Sequence, residues 1–106
     1  MTHFLLTYDL APDYIDRRPG FRHDHLALAR AAAERGELLL GGALDPPEQA
    51  VLLFTGDDPG AAEAFARSDP YVRNGLVTAW RVREWRTVVG PGAAVPIQAV
   101  PSRLGQ

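Results

Sequence analysis

The chain is expected to fold as an α+β sandwich in which two helices cover one face of a four-stranded antiparallel sheet. Three observations predict it. Four stretches have the composition of strands, two have that of helices, and they follow one another in the order β-α-β-β-α-β. With 106 residues, 46% of them apolar and 23% charged, the chain has the size and make-up of one folded domain.

Each element has its own justification. Phe4 to Leu10 is a strand of aromatic, branched and aliphatic residues, ended by Ala11-Pro12-Asp13. Residues 11–20 are polar and hold Pro12, Pro19 and Gly20, which predicts a loop. Phe21 to Arg35 is rich in Ala, Leu, Arg and Glu and reads as a helix, with Gly36 placed to end it. Glu37–Leu44 and Gln49–Thr55 are strands joined by Asp45-Pro46-Pro47-Glu48, an antiparallel hairpin. Asp57-Asp58-Pro59 supplies a capping aspartate and a proline for a helix from Gly60 to Ser68. Pro70 stops that helix and pushes Asp69 into extended backbone. Leu76 to Val88 is the fourth strand. This is the ferredoxin-like pattern. It occupies residues 1–89, and residues 90–106, with three prolines in eleven residues, form an extended tail. The plainer reading of that tail is a mobile terminus; the alternative is that Val95, Ile97 and Val100 let it lie across a neighbouring subunit.

Phe4-Leu5-Leu6, Leu38-Leu39-Leu40 and Val51-Leu52-Leu53-Phe54 are apolar in both alternating registers. Two helices cover only one face of such a sheet, and a face meeting water would be polar. A second copy of the chain is the economical cover, so a homodimer through the sheet face is expected.

Composition narrows the function. The net charge of −2 offers no basic footprint for nucleic acid or an anionic membrane surface. All 11 basic residues are arginine, which fits codon bias more simply than function. The absence of cysteine excludes disulfides, thiolate metal sites and a cysteine nucleophile, and accords with a cytoplasmic protein. The first residues lack the basic and apolar regions of a signal peptide, and no apolar run approaches the roughly 20 residues that span a bilayer.

Two polar words stand out, Arg22-His23-Asp24-His25-Leu26 and Ser68-Asp69-Pro70-Tyr71. Phe21, His25, Leu28, Ala29 and Ala32 recur at helical spacing, which puts His25 on the stripe facing the sheet and His23 and Asp24 toward water. A histidine in the first turns of a helix and an aspartate at the end of another both oppose the helix dipole unless a partner compensates. In a split βαβ fold the start of the first helix can approach the end of the second, so His25 can meet Asp69. The carboxylate would fix the imidazole tautomer and leave the other ring nitrogen free as general base or acid. Tyr8 and Tyr71 would line the same cleft, and Arg22 would bind a carboxylate or phenolate. A buried histidine with a satisfied hydrogen bond and a turn aspartate before proline are the plainer readings of the same two residues.

Other chemistry fits less well. His23 and His25 lie on opposite sides of a helix and cannot chelate a metal there. Ser68 has no triad partners at a suitable spacing. Gly41-Gly42 and Gly90-Pro91-Gly92 lack the spacing of phosphate-binding loops; the former suits close approach of a neighbouring group. Trp80, Trp85 and arginines 81, 83 and 86 read as a strand face of packing residues.

The ordered set of Tyr8, Arg22-x-x-His25-Leu26, Gly36 before a strand reaching Gly41-Gly42-Ala43-Leu44, and Asp69-Pro70-Tyr71 resembles the YciI-like (YCII-related) proteins over residues 3–88. The resemblance implies a dimeric α/β barrel and an active site built on a His–Asp pair, which maps onto His25 and Asp69. Arg22 matches the arginine of the motif and Tyr71 the aromatic after Asp-Pro. The family is similar in fold to muconolactone isomerases, and one branch is a dehydrochlorinase of a chlorinated hydroxyquinol that uses the pair in proton abstraction. Gly42-Ala43-Leu44 departs from the Gly-Pro of many relatives. The expectation is therefore a cofactor-independent lyase or isomerase acting on a small cyclic or aromatic substrate. The alternative is a non-catalytic ligand-binding or assembly module in which the pair is structural.

Overall fold

The computed structural model describes residues 1–97. Four strands, β1 (Thr2–Leu10), β2 (Leu38–Ala43), β3 (Gln49–Gly56) and β4 (Val77–Trp85), form one antiparallel sheet in the order β2-β3-β1-β4. The first strand lies inside the sheet: Phe4, Leu6 and Tyr8 alternate into the core, where they meet Phe54, Leu52 and Ala50 of β3. The helices α1 (Tyr14–Arg17), α2 (Arg22–Glu34), α3 (Gly60–Ser68) and α4 (Pro70–Arg73) complete the fold. Ala32 from α2 and Ala62, Phe65 and Ala66 from α3 close the core over the sheet. Among the described residues, no helix is long and apolar enough to cross a membrane.

The helix ends follow their sequence signals. Gly36 takes a φ of +80°, and the amides of Gly36 and Glu37 return to the carbonyls of Ala33 and Ala32, the Schellman arrangement for which glycine is suited. At the start of α3, Asp58 accepts from the amide of Gly60 at 2.8 Å, while Pro59 sits one position before the helix instead of within it.

Three expectations change. The segment 11–20 is not a plain loop but holds α1 and a 3-10 turn at Arg18–Gly20. Single turns show no 3.6-residue periodicity; here burial of Tyr14 and its edge-on contact with Tyr71 anchor the segment. Residues 70–73 also form a helical turn, so Asp69 both ends α3 and caps α4, where its side chain accepts from the amide of Tyr71. Its charge thus meets the positive end of a new turn as well as the negative end of α3. Finally, β4 ends at Trp85 and not at Val88, because Thr87 and Val88 accept from the amides of Val95 and Ile97 in a chain reversal. Residues 98–106 of the predicted tail, Val100 among them, lie outside the described residues.

The face of the sheet away from the helices carries Leu5, Val51, Leu53 and Leu40, beside Thr7, Arg81 and Arg83. Leu40 is 73% exposed in the single chain. Arg81 reaches Asp9 at 3.2 Å, and with Gln49 it lowers the Asp9 carboxyl below its ordinary value.

Candidate active site

The site is built around the Asp69 carboxylate, which is fully buried. An unpaired buried charge is costly, and here every approach is occupied by a donor. The Tyr8 hydroxyl donates to Oδ2 at 2.7 Å, the Tyr71 amide to Oδ1 at 3.0 Å, and His25 Nδ1 lies 2.9 Å from Oδ1 and 3.0 Å from Oδ2. Pro70 makes this possible, since it holds Asp69 extended at φ −69°, ψ 123° and turns the side chain back over the start of α4.

Because the carboxylate accepts, Nδ1 of the neutral imidazole carries the proton and Nε2 keeps its lone pair. The imidazole is held in plane as well: Tyr71 stacks on it at 3.9 Å with 9° between the rings, and Phe65 meets it edge-on at 6.3 Å. The side chain remains 15% exposed, toward a cavity of about 220 Å³. Leu10, Leu26, Leu52 and the Gly41-Gly42 segment form apolar walls of that cavity, and Arg18 and Arg22 also line it. A Cβ on Gly41 would lie 3.2 Å from Leu52 Cγ, so the glycine keeps this floor open.

The sequence-predicted residues come together here. His25, Arg22, Tyr8 and Tyr71 all line the cavity, and Asp69 lies behind them. Their parts differ from the expected ones in one respect: the Tyr8 hydroxyl is given to Asp69 and is no free wall of the cleft. Burial, and then the Asp69 carboxylate, raise the Tyr8 phenol far above its ordinary value, so it stays a donor. Tyr71 is pushed up to about 12 by burial and by Tyr14, with Arg22 and Arg18 pulling the other way. Tyr14 and Arg18 were not among the expected residues. A lone large aromatic in an otherwise polar stretch was the signal for Tyr14; for Arg18 there was none. Among the described residues, no three His, Asp or Glu side chains gather as a metal site.

The family profile described as the YCII-related domain matches residues 1–86. The chain belongs to the YCII-related family. No curated protein matches this YCII-related chain. Among solved structures it is similar to 5-chloro-2-hydroxyhydroquinone dehydrochlorinase (TftG) from Burkholderia phenoliruptrix AC1100 in complex with 2,5-dihydroxybenzoquinone. That likeness has a TM-score of 0.67 at 20% identity, over 80% of this chain and 94% of that one. A NIPSNAP family protein from Agrobacterium tumefaciens str. C58 gives 0.54 at 11% identity, over 89% and 97% of the two chains. An antibiotic biosynthesis monooxygenase gives 0.53 at 13% identity, over 84% and 100%. At these identities the likenesses establish the fold, that of ferredoxin-like dimeric α/β-barrel proteins.

Proposed function

We propose that this YCII-related protein is a cofactor-independent lyase or isomerase that abstracts a proton from a small cyclic or aromatic substrate, with His25 as the base. The observation that carries the reading is the orientation of one imidazole. Its Nδ1 side faces a buried carboxylate at 2.9 Å, and the residue opens onto a cavity. A base held in one tautomer beside a substrate-sized space is the arrangement that general base catalysis needs. That TftG is a dehydrochlorinase supports the same class of reaction.

In this mechanism Nε2 takes a proton from a ring carbon or hydroxyl. The electron pair left behind delocalises onto an adjacent ring oxygen. In an elimination the leaving group then departs with its own pair; in an isomerisation the imidazolium returns the proton to another carbon. Asp69 stabilises the imidazolium, Tyr8 and the Tyr71 amide position Asp69, and the Tyr71 ring restrains the imidazole. A homodimer formed through the Leu5, Leu40, Val51 and Leu53 face completes the assembly we propose.

The full burial of Asp69 favours one other reading, a structural pair in a ligand-binding module. Turnover separates the two. Chlorinated and hydroxylated monocyclic phenols, 5-chloro-2-hydroxyhydroquinone among them, are incubated with the protein, and chloride release and ring absorbance are followed. The proposal expects turnover that His25→Ala lowers by about 10²–10⁴-fold while the variant keeps its fold. Undiminished turnover in a folded His25→Ala protein would contradict it.

A further inference from the structure

We infer that Arg18 and Arg22 act as a guanidinium pair at the cavity mouth that holds the anionic oxygen group of a single-ring substrate. The inference rests on the cavity beside His25 being a substrate site, and it names the class of substrate.

Three arginines, Arg17, Arg18 and Arg22, lie between β1 and the first turn of α2, and one is committed elsewhere. Arg17 Nη2 donates to the Asn74 carbonyl at 2.8 Å and ties α1 to the end of α4. Arg18 and Arg22 line the cavity, and their guanidiniums form no ion pair or hydrogen bond with any described residue. No Asp or Glu lines the cavity to neutralise them. Arg18 is half-buried, with its guanidinium 5.6 Å from the centre of the Tyr14 ring, so it is held in place before any ligand arrives. Arg22, the first residue of α2, is more exposed and stands one turn before His25 on the same helix. Arg22 and Arg18 both pull the Tyr71 phenol down against the burial that raises it, and Tyr71 lines the same cavity.

Two unpaired guanidinium forks, lining a space whose other walls are mostly apolar and hold no carboxylate, are suited to a carboxylate or phenolate. The volume sets the size of the rest. A cavity of roughly 150 Å³ is enough for benzene, and the space here is about 220 Å³, enough for one substituted ring. The anionic group then sits at the arginines while the ring lies against Leu10, Leu26 and Leu52, within reach of His25.

Calorimetric titration with 2,5-dihydroxybenzoate, hydroquinone and inorganic phosphate tests this, using the native protein, Arg18→Gln, Arg22→Gln, Arg18→Lys and His25→Ala. The expected result is that the benzoate binds more tightly than either hydroquinone or phosphate. Arg18→Gln should weaken it by about tenfold or more, as for a lost hydrogen bond to a charged group. Arg22→Gln should weaken it less, because solvent screens an exposed charge. Arg18→Lys should recover part of the loss, and hydroquinone binding should be unchanged in every arginine variant. Equal binding of the benzoate by the native and Arg18→Gln proteins would overturn the inference, as would hydroquinone or phosphate matching the benzoate, or no binding at all. His25→Ala keeps both arginines and should still bind the benzoate more tightly than hydroquinone, so loss of turnover in that variant reports on the base and not on the arginines.

Discussion

At Asp69 three donors from three parts of the chain converge on one carboxylate: Tyr8 from β1, His25 from α2 and the Tyr71 amide from α4. Removing the Tyr8 hydroxyl takes away a buried hydrogen bond to a charge. Tyr8→Phe should therefore lower unfolding free energy by about 1.5–3 kcal/mol in denaturant titrations. Tyr71 gives a prediction in pH. Its phenol is raised from 10.0 to about 12, chiefly by burial, so below pH 10 both folded and unfolded chains keep the proton. Above that the unfolded chain releases it first, and stability falls as pH rises from about 10 to about 12. Tyr71→Phe should show a shallower alkaline decline over that interval. The pairing of His25 with Asp69 was legible because helical spacing put His25 on the inner stripe and Pro70 fixed the backbone at Asp69. The donor role of Tyr8 was not, because strand alternation tells which face a side chain occupies but not which atom its hydroxyl meets. Arg18 was hidden for a related reason: it lies in a single turn between prolines and glycine, where no periodicity assigns a direction.

The elements were easiest to read where they were long. The bounds of α3 match the sequence expectation, and those of α2 differ by one residue at each end. What escaped were α1, the 3-10 turn and α4, each of three or four residues. Such turns owe their form to tertiary contacts, here Tyr14 against Tyr71 and Arg17 on Asn74, which local composition does not encode. Strand β2 matters to the site through Gly41, which opens the cavity floor beside Leu52. Gly41→Val should narrow the cavity and weaken benzoate binding at least tenfold. It should cost only about 1 kcal/mol of stability, since the Leu52 side chain can shift. Titration and thermal melting of the same variant check both halves.

For the whole molecule, the doubly apolar strands were the signal for a second covered face, and the face opposite the helices does carry Leu5, Leu40, Val51 and Leu53 together. A dimer through that face is expected to run at about twice the 11.5 kDa chain mass in sedimentation. Leu53→Glu, which places a charge at its centre, should run as a folded monomer; an unchanged assembly would move the interface elsewhere. The proposed chemistry turns on one imidazole, and its ring nitrogens are the most direct test. Nitrogen-resolved NMR of His25, in the native protein and in Asp69→Asn, reads which of the two carries the proton in the neutral ring. The expected result is a protonated Nδ1 and a bare Nε2 in the native protein, with that preference lost in the variant. A protonated Nε2 in the native protein, or the same tautomer in both, would contradict the oriented-base account.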